Sequence, residues 1–242
     1  MTTQCRKAVI LAGGKGTRFR PYSFTIPKPL MPIGEDPIML HLINQFKESG
    51  VDEFLVALGY QAELVKAYFG DGSRFGVSIR YYQEETPLGT AGPVSLMAGE
   101  FAEDEYFFLV NGDIHTELDF RRMRQFAVES NCDIVIGCVE HVERSSFGVI
   151  KIENDRITDI VEKPENRFFI SAGIYAMNGR AAARIPAASP FTVPELVRTY
   201  MAENRGVAAF RIHEFWLGIE NVDNLDEVLQ RVQSKSSGRS GG

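Results

Sequence analysis

The order of apolar runs along this chain specifies an α/β architecture built on a doubly wound, mainly parallel sheet. Three observations carry that expectation. Short apolar runs alternate with helix-period patterns through residue 140, the rhythm of strand–crossover–strand units. The first run, "KAVILAG", is continuously apolar and stops on glycine, as a strand covered on both faces does. After residue 140 the turns become hairpin-like, so the second half is richer in β structure.

Taken in order, "PIMLHLINQFKESG" sets Ile38, Met39, Leu42, Ile43 and Phe46 on one helical face with Gly50 as a stop. "DEFLVALGY" reads as a strand. "QAELVKAYFG" repeats the helix period through Leu64, Val65, Tyr68 and Phe69, and "VSIRYY" is a strand again. "GTAGPVSLMAGEF" begins a helix and "EYFFLVNGD" is a buried strand. "LDFRRMRQFAVESN" is a helix followed by the strand "CDIVIGCVE". Then "FGVIKIENDRITDIVEK" reads strand, Asn-Asp turn, strand, and "FFISAGIYAM" is a further strand. "TVPELVRTYMAENRG" is a helix, "VAAFRIHEFW" a strand and "VDNLDEVLQRVQ" a closing helix. No linker or repeat interrupts the chain. The expected division is one domain over 1–232, with a core of about 1–140, a β-rich portion of about 141–232, and a disordered Ser/Gly-rich tail over 233–242.

The 242 residues, 44% hydrophobic and 24% charged, suit a globular domain. A net charge of −6 argues against a general polyanion-binding surface. Yet residues 1–34 carry Arg6, Lys7, Lys15, Arg18, Arg20 and Lys28, and the first acid is Glu35. A cationic loop in an acidic chain points to a small anionic ligand rather than nucleic acid. Cys5, Cys132 and Cys138 form no CxxC pair and no zinc spacing with the histidines, and Cys132 and Cys138 read as core. No apolar run reaches the roughly 18 residues of a membrane span, and no signal-peptide pattern opens the chain. A reducing, cytoplasmic setting is expected.

The loop after the first strand, Gly13-Gly14-Lys15-Gly16-Thr17-Arg18, is suited to phosphate. Glycines beyond the carboxyl end of a strand let backbone N–H groups turn toward an anion with no Cβ in the way. It is not a Walker A loop, and Phe19 stands where the dinucleotide fingerprint needs its third glycine.

The longer stretch "GGKGTRFRPYSFTIPKPLMPIG" resembles the signature of the sugar-1-phosphate nucleotidylyltransferases, a GGxGTR loop followed by a PKP-type lysine. The "PKPL" form is closest to the mannose-1-phosphate guanylyltransferase-like branch. The similarity continues in order through "FGDGSRFGVSIRYYQEETPLGTAG", "LVNGD", "VEKP" and "SAGIY". The resemblance implies a Rossmann-like mixed sheet with an inserted β-rich sugar-binding portion. It also implies a magnesium-dependent reaction in which an NTP and a sugar 1-phosphate give an NDP-sugar and pyrophosphate.

By that resemblance Arg18 bridges the triphosphate and Lys28 contacts phosphate at the reacting centre. Leu11, Ala12, Gly13, Gly14, Lys15, Gly16, Thr17, Gly89, Thr90 and Asn111 line the nucleotide, and Arg20 is structural. Asp113 coordinates Mg²⁺. Lys163 holds the phosphate of the sugar substrate, Glu162 a sugar hydroxyl, and Gly112, Gly148, Ser171, Ala172 and Gly173 the sugar ring. Glu84 faces the base. Its carboxylate can accept from guanine N1–H and N2–H together, which favours GTP and leaves UTP or CTP as alternatives.

The pattern breaks where relatives carry W-x-D-I-G. Here "FWLGIENVDNLDEV" puts Gly218 at the aspartate position. Strand alternation sends Glu220 to the same side as the missing carboxylate, so Glu220, or less directly Asp223, is the expected second metal ligand. The alternative is that both belong to the start of the closing helix. Ser171 replaces a common asparagine, which leaves room for an unusual sugar: heptose, octose, cyclitol or modified hexose. The missing aspartate also leaves open a non-catalytic binding subunit. The expected assembly is a monomer or a simple homodimer.

Overall fold

The chain lays its first strand into the middle of a seven-stranded sheet. The structure, a computed structural model, describes residues 5–239. In chain order the strands and helices are β1 (Lys7–Ala12), β2 (Pro32–Ile33), β3 (Asp36–Pro37), α1 (Ile38–Glu48), β4 (Glu53–Leu58), α2 (Ala62–Phe69) and β5 (Ser78–Gln83). They continue with β6 (Tyr106–Asn111), β7 (Ile114–Thr116), α3 (Phe120–Ser130), β8 (Ile134–Arg144), β9 (Val149–Glu153), β10 (Arg156–Val161) and β11 (Glu165–Asn178). The last are α4 (Gly179–Ala182), α5 (Val193–Ala202), β12 (Val207–Arg211), β13 (Trp216–Gly218) and α6 (Val222–Arg239).

The main sheet runs β12-β8-β11-β6-β1-β4-β5. β1 is parallel to β4 and β6, β4 to β5, and β12 to β8. Only β11 runs against its neighbours β6 and β8. Successive side chains of a strand point to opposite faces, so each central strand feeds two cores. Ala8, Ile10, Phe54 and Phe108 meet Phe46 of α1 and Phe120 of α3, whose rings stack at 3.8 Å. Val9, Leu55, Leu109 and Phe107 meet Val193, Leu196 and Tyr200 of α5. Helices therefore cover both faces, which is why these strands are apolar throughout rather than alternating.

A third cluster, Phe19, Met31, Ile33, Ile38, Ile219 and Val228, ties the loop after β1 to α6. The hairpin β9–β10 turns on Asn154 and Asp155, both with positive φ, the conformation a two-residue hairpin turn needs.

Several local expectations are corrected. In α2 the buried stripe is Ala62, Val65 and Phe69, while Leu64 and Tyr68 face solvent. The segment expected to begin a helix at "GTAGPVSLMAGEF" forms a 3-10 stretch, Gly92–Met97. Pro93 offers no N–H, and the Ser95 hydroxyl donates to the Gly92 carbonyl at 2.7 Å, competing with the α pattern. Cys132 and Cys138 are half-buried rather than core. Cys5 is the enclosed thiol, and burial pushes it up to about 12. The closing helix continues to Arg239, through most of the stretch expected as a tail. Extending an existing helix costs little per residue compared with starting one. Residues 240–242 of that expectation lie outside the described residues.

Among the described residues no helix is long and apolar enough to cross a membrane.

Candidate active site

Four parallel strands end at one cleft. Gly13 and Gly14 follow β1, Gly59 and Tyr60 follow β4, Glu84 follows β5, and Gly112 and Asp113 follow β6. The chain leaves β1 toward β4 and β5 on one side and returns to β6 on the other. Crossovers diverge at such a reversal and leave an opening beyond the strand ends. The opening here is a cleft of about 800 Å³. It is lined by Leu11, Ala12, Gly13, Gly14, Lys15, Lys28, Pro29, Gly59, Tyr60, Gln83, Glu84, Glu85, Pro87, Gly89, Thr90, Asn111, Gly112 and Asp113.

The glycines answer to close approaches. A Cβ on Gly59 would lie 2.7 Å from the Gly13 carbonyl, and the Tyr60 N–H donates to that carbonyl at 3.3 Å. The loop is thereby pinned against the end of β4. A Cβ on Gly14 would meet nothing within 4 Å, so this part of the loop turns open space toward the cleft. Gly16 adopts φ 58°, and its Cα side rests on the Lys28 and Ser23 side chains. Gly16 and Thr17 therefore act from behind the loop and are absent from the cleft lining.

Lys28 reaches Asp113 across the cleft, Nζ to Oδ2 at 2.5 Å. Pro27 and Pro29 flank the lysine, and its 3-10 turn Lys28–Leu30 is capped by the Met31 N–H. The ammonium also lies 5.3 Å from the centre of the Phe19 ring. The Lys28 side chain is only 16% exposed and Asp113 is 38% exposed, so the pair is partly shielded from solvent but open on the cleft side.

Glu84 closes the far wall. Its Oε2 accepts from the Leu88 N–H at 2.9 Å, and its Oε1 lies 2.6 Å from where a Gly13 Cβ would stand. Burial raises the Glu84 carboxyl above its ordinary value, and the Leu88 N–H offsets part of that rise. Gly89, with φ 81°, passes close to the Phe191 carbonyl. The Thr90 hydroxyl accepts from the Val193 N–H at the start of α5, so it holds the helix as well as the cleft wall.

The Ala172-Gly173 step of β11 packs behind Asn111, with Ala172 fully buried, and neither these residues nor Ser171 line the cleft. The β8–β11 register shifts between Ser171 and Tyr175, and bulges of this kind re-aim backbone beside sites. Gly173 has φ 66°, and a Cβ there would lie 2.5 Å from Asn111 Nδ2. The Ala172 carbonyl accepts from Trp216 Nε1 at 2.8 Å. Ser171 Oγ lies 3.0 Å from the Tyr175 hydroxyl and accepts from the Gly173 N–H. The residue expected to contact sugar thus supports the bulge.

Arg18 is absent from the cleft lining. Its guanidinium meets the Glu220 carboxylate at 2.6 Å, with both side chains more than 60% exposed. Strand β13 ends at Gly218, so the alternation invoked for Glu220 does not extend to it. The turn is instead set by Asn224, whose Oδ1 accepts from the Glu220 and Asn221 N–H groups. The backbone still arrives beside the cleft, because the Ile219 N–H donates to the Asp113 carbonyl at 2.7 Å. Asp223 sits in the first turn of α6.

Gly148, Glu162 and Lys163 are exposed, at the base of the β9–β10 hairpin, and do not line the cleft. The Glu162 carboxylate covers Gly148, 3.0 Å from where a Cβ would stand, and Lys163 has φ 45°. Two of the early cations are structural. Arg6 pairs with Asp52, and Lys7 pairs with Glu105 and donates to the Glu100 carbonyl. Arg20 stacks over Phe24.

No cluster of three or more His, Cys, Asp or Glu side chains arranged for a metal occurs among the described residues. The cleft lining carries the carboxyls of Asp113, Glu84 and Glu85, and Lys28 engages Asp113. Mg²⁺ is commonly held by one or two carboxylates with water and substrate phosphates, so the oxygen donors here fit that ion and do not form a self-sufficient cage. Sequence reading missed Gly59, Tyr60, Gln83, Glu85 and Pro87. The signal for them was their place just past or at the ends of the next parallel strands.

Residues 7–235 match the family described as nucleotidyl transferase. The protein named probable mannose-1-phosphate guanylyltransferase 1, of Oryza sativa subsp. japonica, is 36% identical over 243 residues, which cover 95% of this chain and 66% of that one. The mannose-1-phosphate guanylyltransferase of Mycobacterium tuberculosis is 33% identical over 189 residues, covering 77% and 52%. The chain thus spans between about half and two thirds of the length of these curated relatives. Among solved structures, HddC from Yersinia pseudotuberculosis, complexed with GMP-PN, superposes with a TM-score of 0.71 at 24% identity. That match covers 94% of this chain and 99% of that one, a likeness of fold.

Proposed function

The chain belongs to the nucleotidyl transferase family, and from that premise we propose that it transfers a nucleotidyl group from an NTP, with GTP favoured, to a sugar 1-phosphate. The observation that carries this reading is the Lys28–Asp113 pair, set beside the glycine loop at the carboxyl ends of β1 and β6. The names of the relatives make mannose 1-phosphate the first acceptor to test. The single-domain division remains part of the same reading.

In this reaction a phosphate oxygen of the sugar 1-phosphate attacks the α-phosphorus of the NTP. The new P–O bond forms as the bond to the β-phosphate bridging oxygen breaks, and pyrophosphate leaves with the electron pair. No protein nucleophile is consumed, so catalysis is positioning and charge stabilisation. The backbone of Gly13 and Gly14 and the Lys15 side chain receive the triphosphate. Lys28 leaves Asp113 for phosphate at the reacting centre. Arg18 swings inward from Glu220 to bridge phosphate oxygens. Glu84 reads the base edge, Asn111 lines the nucleotide, and Gly112 with the Ala172-Gly173 bulge behind it supports the sugar.

Asp113, with Glu220 as the second carboxylate, would hold Mg²⁺, which would neutralise phosphate charge there. Lys163 is proposed for the phosphate of the sugar substrate and Glu162 for a sugar hydroxyl, although both stand outside the cleft lining at the hairpin base.

One observation favours a second reading. Gly218 brings no carboxylate beside Asp113, which suits a binding subunit that does not turn over. Pyrophosphate release decides between them, measured with Mg²⁺, each of GTP, UTP and CTP, and a panel of hexose, heptose and cyclitol 1-phosphates. Release with GTP and one acceptor supports transfer. Binding of the nucleotide with no release across the panel supports the subunit.

A further inference from the structure

Tyr60 is the one aromatic side chain lining the cleft among the described residues, and it is half-buried there. Its ring meets no other described ring, and its hydroxyl has no hydrogen-bond partner among the described residues. The backbone beneath it is held from three sides. Gly59 passes so close to the glycine loop that a Cβ would lie 2.7 Å from the Gly13 carbonyl, and the Tyr60 N–H donates to that carbonyl at 3.3 Å. Gln61 follows in the left-handed region, at φ 53° and ψ 37°, which is unfavourable for a residue with a Cβ. Its Nε2 donates to the Phe24 carbonyl at 2.9 Å, and its Oε1 is buried without a partner. Strain of this kind persists where its surroundings over-determine it, and it gathers at ligand clamps. A turn that served only to join β4 to α2 has a less strained solution, glycine or asparagine at position 61.

The two sides of the cleft differ in chemistry. The strand order β6-β1-β4-β5 puts the glycine loop between them. On the β6 side Lys28 meets Asp113, a pair suited to phosphate and its counter-ion. On the other side the Glu84 N–H donates to the Leu58 carbonyl at 2.8 Å, which seats Glu84 next to the turn that carries Tyr60. No lysine or arginine from β4, β5 or the turns after them lines the cleft. A flat aromatic face beside a carboxyl, away from the cations, matches a heteroaromatic ring with N–H groups on its edge and disfavours a further phosphate.

We propose that the Tyr60 ring stacks on the base of the bound NTP and, with Glu84 at the base edge, weights the cleft toward a purine. This stacking rests on the NTP reading given above. Every base has a π-face, so stacking by itself accepts any of them. A two-ring base covers more of the phenol face than a one-ring base, so loss of the ring harms GTP more than UTP. The restraints at Gly59 and Gln61 fix the Tyr60 backbone before the base arrives, which leaves less freedom to lose on binding.

Calorimetric titration with Mg²⁺ and no sugar 1-phosphate tests the stacking, with GTP, UTP and inorganic tripolyphosphate as probes. Tyr60→Leu should weaken GTP roughly tenfold, within the usual range for one base on one aromatic ring. UTP should weaken less. Tripolyphosphate, which carries no base, should bind as it does to the wild type. Tyr60→Phe should keep wild-type affinity for all three. Equal weakening of all three probes by Tyr60→Leu overturns the proposal, because the residue then only shapes the loop. Unchanged GTP affinity overturns it, as does a UTP loss as large as the GTP loss. A loss in Tyr60→Phe as large as in Tyr60→Leu makes the hydroxyl the contact and overturns stacking. A wild-type chain that binds tripolyphosphate as tightly as GTP overturns it as well. If Tyr60→Leu does not fold, Tyr60→Trp takes its place. Its emission should be quenched by GTP and not by tripolyphosphate, beyond any change in the wild type, whose single tryptophan is Trp216. Equal responses to the two ligands overturn stacking. Binding is read without an acceptor, so a chain that stacks GTP on Tyr60 yet releases no pyrophosphate with any acceptor loses the transfer reading and keeps this one.

Discussion

Lys28 and Asp113 lie 85 residues apart in sequence, and their side chains meet at 2.5 Å in the cleft. The pair joins the loop after β1 to the end of β6, and the first prediction follows from it. Lys28→Met should lower kcat/KM by about 10²–10³, the usual loss for one aligned donor at a reacting centre. Lys28→Arg should recover little, because a planar fork does not replace a point charge between two prolines. Steady-state pyrophosphate release checks both, and a Lys28→Met variant with near-normal kcat/KM would remove Lys28 from the reaction.

The Arg18–Glu220 contact calls for a different expectation. Both side chains are more than 60% exposed, and exposed pairs contribute about 0–1 kcal/mol. Glu220→Gln should therefore leave Tm almost unchanged while raising the Mg²⁺ concentration needed for half-maximal rate. Gly218→Asp should lower that concentration. A Cβ at Gly218 would meet only the Trp216 ring, at 3.7 Å, so the carboxylate has room. Mg²⁺ titrations of rate decide, and superimposable curves for wild type and both variants would rule Glu220 out as a ligand.

Gly173 is held at φ 66° against Asn111. Gly173→Ala should cost about 1–3 kcal/mol through backbone strain and the displaced amide. Because Asn111 lines the cleft as a nucleotide residue, the NTP KM should rise with it. Denaturant melts and initial rates measure the two effects. A stable variant with unaltered KM would show that the bulge is packing alone.

Glu84 titrates in the cleft wall. Burial raises its carboxyl in the folded state, so the folded chain holds the proton more tightly than the unfolded chain. Its contribution to stability is full below the ordinary value of 4.5 and declines as pH rises from there through the raised folded value. Glu84→Gln should flatten that decline, and its Tm near neutrality should equal or exceed wild type. The same variant should weaken GTP relative to UTP, since an amide cannot accept from both guanine N–H groups. Melts across pH, paired with nucleotide competition, test both halves.

How far the site could be read from the chain depended on where each residue sits. Gly13, Gly14, Asn111, Gly112 and Asp113 were legible because apolar parallel strands end just before or at them, and ligand openings lie beyond such ends. Gly59 and Tyr60 follow an equally clear strand but carry no motif. Only the passage of the Gly13 carbonyl 2.7 Å from a Gly59 Cβ gives them a part in the site. The α2 stripe was misjudged because Leu64 and Tyr68 fit the helical period, yet their side of the helix faces solvent. Period alone identifies a helix and leaves its rotation open.

The amino-acid sequence by itself determined the alternation of strands and helices, the phosphate-suited loop and the break at Gly218, because each is a local pattern of polarity, chirality or spacing. Tertiary structure decided the rest. It turned Glu220 toward Arg18, engaged Lys28 with Asp113, and recruited Ser171 to the bulge at Gly173. Those outcomes depend on contacts between segments far apart in the chain, and a local pattern carries no distance between them.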